Sequence, residues 1–130
     1  MHHRGESIHS KALDAKIKKN YALAADTFLM SASEYQSQGR DHDAAKSFEE
    51  AYKCFKMTNH PSKSYDALLN AAKLYEKKDT TKSIAARHYE TIALHYKNTG
   101  FLKRSRDMFL ASLSVQCVLK TIHNIGNQCL

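Results

Sequence analysis

The chain repeats one short pattern about every 20 residues. A pair of mostly small residues is followed by any two residues and then an aromatic one. The copies are Ser31-Ala32-x-x-Tyr35, Ala51-Tyr52-x-x-Phe55, Ala71-Ala72-x-x-Tyr75, Ile92-Ala93-x-x-Tyr96 and the degenerate Ser112-Leu113-x-x-Gln116. A second set of pairs, seven residues earlier, comprises Ala24-Ala25, Ala44-Ala45 and Ala85-Ala86, with residues 65–69 replacing the third copy. A fixed period of this length predicts an array of similar structural units.

Within each unit the apolar residues have helical spacing. Ala25, Phe28, Leu29, Ala32 and Tyr35 stand at positions i, i+3, i+4, i+7 and i+10 and therefore share one stripe of a helix. A 20-residue step leaves room for one helix of about 16 residues and a short turn. We expect six helices, at 6–19, 21–39, 41–58, 61–78, 81–99 and 101–120.

Residues typical of turns fall between these helices. Gly39 and Gly100 suit the left-handed position that follows a helix, and Pro61 suits a first helical turn. Thr80 or Thr81 is expected to cap the helix that follows it. The turn signals therefore support the helix boundaries that the apolar spacing predicts.

The recurring small residues predict how the helices pack. Small side chains let two helices approach closely, and the neighbouring aromatic rings fill the remaining space. Because the stripe recurs on each helix, we predict an all-α fold, a right-handed α-solenoid of antiparallel helical hairpins of the tetratricopeptide type. The expected domains are an N-terminal short helix and tail at 1–20, the repeat domain at 21–120, and a tail or truncated helix at 121–130. A four-helix bundle is the competing fold.

Composition limits the class of protein and of partner. The three cysteines have no CxxC spacing, which indicates free thiols in a reducing compartment, and so a cytoplasmic protein. No apolar stretch reaches the roughly 20 residues of a membrane-spanning helix. The net charge of +7 predicts an acidic partner, which leaves nucleic acid, an anionic membrane surface and an acidic protein open.

The excess positive charge is concentrated at one set of predicted turns. In a solenoid of hairpins, the turns near residues 20, 60 and 100 share one edge and those near 40, 80 and 120 share the other. Nine basic residues lie near the first set, namely Lys16, Lys18, Lys19, Lys56, Lys63, Lys97, Lys103, Arg104 and Arg106, against three acidic ones. The basic edge is either a solvated surface that favours solubility or a docking strip for an acidic helical bundle.

The sequence contains no pattern that predicts a catalytic, metal or cofactor site. His88 and His95 are seven residues apart, too far to share one metal ion without a ligand between them, and no HExxH pattern is present. Cys54 lies on an apolar stripe and is expected to be a buried small hydrophobic residue. We therefore expect no enzyme activity, no cofactor and no small-molecule substrate. Nucleic-acid binding is also not expected, because no aromatic-interleaved basic motif occurs.

Three stretches carry a resemblance to a known family. The segments "AADTFLMSASEYQSQGRDHDAAKSFEEAYKCFK" and "AARHYETIALHYK", together with "LNAAKLYEKKD", resemble the helices of the soluble NSF attachment proteins, the SNAP adaptors of membrane fusion. The resemblance covers about residues 21–113. It implies a twisted sheet of helices that lies against the four-helix SNARE bundle and recruits an AAA ATPase, without catalytic activity of its own.

The resemblance also suggests binding residues. Arg87 and Lys97 stand where SNAP helices carry basic residues that face the SNARE bundle, and Lys56 and Lys82 are weaker candidates. Lys103 and Arg104 belong to the same basic edge. The chain departs from the family in two ways. Family chains are more than twice as long and have a C-terminal helical bundle that engages the ATPase. Their apolar membrane loop is missing here, where the corresponding turn is the short basic segment "DAKIKKNY". Peripheral membrane contact is a further expectation.

The alternative function is a generic tetratricopeptide scaffold or co-chaperone that binds extended peptides. A carboxylate clamp for chaperone C-termini would use Lys46, Asn70 and Arg106, but their spacing does not match such a clamp. Preference for an assembled helical bundle over single peptides would separate the two functions.

Overall fold

The computed structural model describes residues 4–128, and these residues form helices and turns without any β-strand. The helices are α1 (Arg4–Ile17), α2 (Tyr21–Ser37), α3 (Asp41–Met57), α4 (Pro61–Glu76), α5 (Lys82–Asn98) and α6 (Leu102–Gln128), with a 3₁₀ turn at Asp79–Thr81. The predicted all-α fold with six helices is confirmed.

The largest difference from the predicted boundaries lies in the last helix. α6 does not end near residue 120 but continues to Gln128. Its sequence contains no proline, and its first glycine, Gly126, comes close to its end, so nothing interrupts the helix earlier. Residues 121–128, expected as a tail or a truncated helix, are therefore part of α6. The rest of that segment and the first three residues of the chain lie outside the described residues.

The helices form two compact units, the first ending at Leu74 and the second beginning at Tyr75. In the first unit α1 packs on α2, and α2 packs on α3. α4 contacts α3 through the edge-to-face rings of Tyr52 and Tyr65, whose centroids are 5.5 Å apart. In the second unit α5 packs along α6. Within each unit, neighbours in sequence are thus neighbours in space, as the repeat predicts.

The small and aromatic residues of the repeat form the core. Eight alanines of the pairs in α2, α3 and α4 are completely inaccessible to solvent: Ala24, Ala25, Ala32, Ala44, Ala45, Ala51, Ala71 and Ala72. Phe28 is also fully buried, and Tyr35, Phe55, Tyr75 and Tyr89 are nearly so. Burying a large ring beside a small residue removes apolar surface from water at about 25 cal/mol per Å², which is the main source of stability here.

Serines at the first position of several pairs join each helix to the one before it. Ser105 Oγ donates to the Ala93 carbonyl at 2.8 Å, and Ser112 Oγ donates to the Ala86 carbonyl at 3.0 Å. These two bonds show that α5 and α6 are antiparallel, since the later serine meets the earlier alanine. In each case the acceptor belongs to the second position of a pair in the preceding helix.

The same arrangement occurs in the first unit. Ser31 Oγ donates to the Gly5 carbonyl of α1 at 3.1 Å, and Ser64 Oγ donates to the Tyr52 carbonyl of α3 at 3.0 Å. Gly5 lies 20 residues before Ala25 and is therefore a second position of the repeat. Ser64 lies 20 residues after Ala44 and is therefore a first position. At these four places a first-position serine therefore bonds to the carbonyl of a second position in the preceding helix.

The contact between α1 and α2 requires glycine at position 5. A Cβ atom there would lie 2.7 Å from two ring carbons of Tyr35, closer than real Cβ atoms approach. His9 packs beside this contact, with its ring edge-on to Phe28 and its Nδ1 3.1 Å from Ser47 Oγ. Burial lowers the pKa of His9, although Glu50 and Asp43 oppose this shift. The His9 side chain thus connects α1 with Ser47 of α3.

The predicted turn signals are largely confirmed. Gly39 and Gly100 have φ angles of 73° and 87°, and Pro61 is the first residue of α4. Thr81 precedes α5 but does not cap it, because its hydroxyl donates to the Tyr75 carbonyl at 2.6 Å instead. The turns at Lys19 and Asn59 were not expected to be left-handed, yet their φ angles are 61° and 60°.

Candidate partner-binding surface

Two of the predicted binding residues lie on the exposed side of α5. The other side of this helix buries Ala85, Ala86, Tyr89, Ile92 and Ala93. Arg87 and Lys97 are both exposed. They lie on one stripe with Glu90 and Leu94, since the steps along it are three or four residues. The stripe is therefore available to a partner, with a basic residue near each end.

The hairpin between α5 and α6 brings Lys97, Lys103 and Arg104 to one end of the second unit. Gly100 makes the turn, and the Phe101 N–H donates to the Tyr96 carbonyl at 2.8 Å. All three cations are exposed, and no acidic residue lies between Lys97 and Arg106 in the sequence. This hairpin end is thus a compact positive surface.

Aromatic rings support the guanidinium of Arg104. Its Cζ lies 5.4 Å from the ring centroid of Phe101 and 5.8 Å from that of Tyr96. The two rings are themselves edge-to-face, 6.2 Å apart. Cation–π contacts of this kind stabilise an arginine by roughly 0.5–1 kcal/mol at an exposed site and restrict its motion. Arg104 is therefore held in place before any partner binds.

Lys82 is held by its own chain. Its Nζ donates to the Glu76 carbonyl at 2.5 Å and lies 3.6 Å from an Asp79 oxygen. Its side chain is only 15% exposed. This lysine closes the turn that precedes α5, so a partner would have to compete with these contacts to reach it.

Lys56 lies near the end of α3 in the first unit and is exposed. Its Nζ is 3.3 Å from the Tyr52 hydroxyl and 5.2 Å from the centroid of the same ring. The hydrogen bond to that hydroxyl raises the pKa of Lys56. Lys63 similarly lies 5.9 Å from the ring of Phe55. The sequence did not indicate that these basic residues rest on aromatic rings.

The exposed apolar residues at the hairpin end were also not predicted. Phe101 and Leu102 are both exposed and lie between Lys97 and Lys103 in the sequence. The repeat assigns aromatic residues to packing, which holds for Tyr35, Tyr75 and Tyr89 but not for Phe101. The sequence contained one indication that Phe101 is exposed, because it directly follows the turn glycine Gly100 and lies outside the repeated pattern.

The remaining candidate residues of the sequence have packing contacts. Cys54 is buried, as predicted, and burial raises the pKa of its thiol. His88 packs against Tyr75, with 5.9 Å between the ring centroids. Within residues 4–128, no helix combines the length and the apolarity that a transmembrane span needs.

Comparison with known proteins gives a family. The family model described as "Soluble NSF attachment protein, SNAP" matches residues 6–114, which is most of the chain. A 60-residue segment is 33% identical to the alpha-soluble NSF attachment protein of Saccharomyces cerevisiae, and this segment is 46% of the chain but 20% of that relative. No solved structure matches the chain. The match over residues 6–114, together with the confirmed helical repeat, means that the chain belongs to the soluble NSF attachment protein family.

Proposed function

We propose that this chain is a non-enzymatic adaptor that binds the assembled four-helix SNARE bundle through its basic residues, in vesicle fusion and intracellular protein transport at the cytoplasmic face of membranes. The observation that carries the proposal is the family match over residues 6–114, combined with exposed basic residues on α5 and at the hairpin end. Protein partners are what the family indicates, and an acidic helical surface is the chemistry that these cations recognise.

The six candidate residues differ in their exposure and in their contacts within the chain, so they are not equally good candidates for the proposed interaction. Arg87 and Lys97 lie on the exposed stripe of α5, and Lys103 and Arg104 extend the positive surface at the hairpin end. A straight helical partner can contact several of them at once, because α5 spans 17 residues, about 25 Å. Lys56 adds a cation on the first unit. Lys82 is the weakest candidate because its ammonium already has partners.

The first test reverses the charge at two of these residues. We expect Arg87→Glu combined with Lys97→Glu to weaken binding to a labelled soluble SNARE bundle by about 10- to 100-fold, since each exposed charge pair contributes up to about 1 kcal/mol and reversal adds repulsion. Fluorescence anisotropy measures the affinity. The matched control is Lys46→Glu combined with Lys73→Glu, which makes the same change in net charge at two exposed lysines elsewhere.

Salt and partner form separate the proposal from the alternative. Raising the salt from about 0.1 to 1 M shortens the screening length from about 10 to 3 Å and is expected to weaken binding strongly. A peptide-binding scaffold would prefer single extended peptides to the bundle. Unchanged affinity of the Arg87→Glu/Lys97→Glu variant, or tighter binding of single peptides, contradicts the proposal.

Two further partners follow from the family, and each has its own binding test. The AAA ATPase is expected to join the complex only if this chain supplies a surface for it. Co-sedimentation of the chain, the SNARE bundle and the ATPase measures whether the ATPase joins. Peripheral membrane contact is expected to appear as binding to vesicles that contain anionic lipid, and to disappear in vesicles of neutral lipid.

A further inference from the structure

The hairpin end of the second unit combines two exposed apolar side chains with cations. Phe101 directly precedes α6, Leu102 is the first residue of that helix, and their side chains are 54% and 68% exposed. The exposed cations Lys97, Lys103 and Arg104 lie on both sides of this pair in the sequence, and the stretch 97–106 contains no acidic residue. We call Phe101 and Leu102 the apolar tip.

The turn itself does not require an aromatic residue at position 101. Within residues 4–128, four turns have a left-handed residue, and the N–H of the next residue donates to a carbonyl five residues back at 2.8 or 2.9 Å. The four residues that donate are Asn20, Arg40, His60 and Phe101. Three of them are polar, so the backbone geometry of the turn does not select Phe101.

Packing of a neighbouring helix does not cover such a turn. In the first unit α3 packs on α2, yet Ile17, Lys19 and Asn20 at the α1–α2 turn are exposed. The α5–α6 hairpin has the same kind of turn, with its N–H bond at 2.8 Å. A helix packed along α6 as α3 packs along α2 would therefore leave the apolar tip exposed.

The mixture of apolar and basic side chains selects the kind of surface that fits the hairpin end. Phe101 and Leu102 gain free energy by leaving water, whereas the cations gain it by meeting anions. A membrane that contains anionic lipid offers both, because its charged headgroups lie about 5–10 Å from the boundary of the acyl chains. The surface of an acidic protein offers the charges but presents polar groups to the apolar tip.

The contacts of Arg104 match such an interface. Its guanidinium carbon lies 5.4 Å from the ring centroid of Phe101 and 5.8 Å from that of Tyr96. The ring of Phe101 therefore carries the arginine with it. When the ring enters the headgroup region, the guanidinium lies beside it at the level of the lipid phosphates.

We propose that the apolar tip inserts into the headgroup region of an anionic membrane, with Lys97, Lys103 and Arg104 bound to the lipid anions around it. The inference rests on the peripheral membrane contact in the proposed function, and it names the surface that makes this contact. Phe101 and Leu102 are not among the six candidate residues for the protein partner. Mutation of the tip therefore separates the two contacts.

A single tryptophan reports insertion directly. The chain contains no tryptophan, so Phe101→Trp introduces one reporter at the tip. Vesicles of phosphatidylserine and phosphatidylcholine in equal parts are expected to shift its emission to shorter wavelength, and brominated acyl chains are expected to quench it. Met30→Trp is the control, because Met30 is 60% exposed on α2 and its reporter is expected not to respond. No shift for Phe101→Trp, or equal shifts for the two variants, overturns the inference.

Co-sedimentation with the same vesicles measures affinity. Phe101→Ser combined with Leu102→Ser keeps the net charge and is expected to weaken vesicle binding at least tenfold, since the apolar surface that enters the lipid is lost. The matched control is Leu23→Ser combined with Met30→Ser, at residues of α2 that are 54% and 60% exposed, and it is expected to bind like the wild type. Lys103→Gln is expected to weaken binding about fivefold, because one cation is lost near the anionic surface.

The outcomes separate this inference from the proposed function. The Phe101→Ser/Leu102→Ser variant is expected to bind the soluble SNARE bundle like the wild type, and its circular dichroism spectrum checks that it is folded. Unchanged vesicle binding of this variant overturns the inference, and the membrane contact then lies at another surface. Absence of any vesicle binding overturns both the inference and the expected membrane contact, whereas SNARE binding is measured without lipid. A shift of Phe101→Trp with the soluble bundle but not with vesicles also overturns the inference, because the occupant is then an acidic protein.

Discussion

Replacing Phe28 by alanine is expected to lower the free energy of unfolding by about 3–5 kcal/mol, the range measured when a buried Phe is truncated. Phe28 is completely buried, and its ring meets that of His9 edge-on at 5.3 Å. Its neighbours in the repeat are alanines on helices, which cannot move into the space that a ring leaves. The cavity therefore persists and adds to the lost transfer free energy.

Urea unfolding followed by circular dichroism measures this change. Met30→Ala in the same helix is the control, because Met30 is 60% exposed and its truncation is expected to change stability by no more than about 0.5 kcal/mol. Phe28→Leu, which refills much of the volume, is expected to fall between the two. Equal losses for Phe28→Ala and Met30→Ala would show that Phe28 is not part of a packed core.

Replacing Ala86 by leucine is expected to destabilise the α5–α6 hairpin by about 2–4 kcal/mol. Overpacking a close contact costs about 1–3 kcal/mol, and loss of the hydrogen bond from Ser112 to the Ala86 carbonyl adds about 1 kcal/mol. Ala86 is buried at the contact with α6, where Ser112 bonds to its carbonyl, so the added atoms force the two helices apart. The prediction tests the claim that small residues at the second positions permit the packing.

The same urea measurement applies, with two comparison variants. Ser83→Leu adds an apolar side chain at an exposed position of α5 and is expected to have little effect on stability. Ser112→Ala removes the hydrogen bond alone and is expected to cost about 1 kcal/mol, which separates its share from that of overpacking. A stability of Ala86→Leu equal to that of the wild type would mean that α5 and α6 are not in close contact at this point.

Much of the fold follows from spacing alone. Because the pairs recur every 20 residues and the apolar residues every three or four, the six helices and their buried stripes could be predicted before any coordinates. The glycines at 39 and 100 marked two turns correctly, since a left-handed φ favours glycine. Such local rules act within one helix or one turn, which is why a sequence reveals them.

The features that were missed depend on contacts between elements. Thr80 or Thr81 was expected to cap α5, but the 3₁₀ turn before the helix brings the Thr81 hydroxyl to the Tyr75 carbonyl. The serine hydroxyls that join neighbouring helices became visible only when the antiparallel register fixed which carbonyl each one meets. Spacing along one helix cannot give that register.

The sequence predicted which residues carry positive charge, but it did not predict which contacts hold each side chain in place. The sequence suggested Lys82 from the resemblance and Arg104 from the distribution of charge. The structure distinguishes them, because Lys82 is engaged by the Glu76 carbonyl and Asp79, whereas Arg104 rests on Phe101 and Tyr96 and stays exposed. Which cations bind a partner remains a prediction that charge reversal tests.

The central claim is that the paired small residues set an antiparallel register in which each helix packs on the next. The most direct measurement is a set of inter-residue nuclear Overhauser effects across the α5–α6 hairpin. We expect cross-peaks between Ala86 and Ser112 and between Ala93 and Ser105, the two pairs joined by serine hydrogen bonds. Cross-peaks shifted by one helical turn, or none between these helices, would contradict the account.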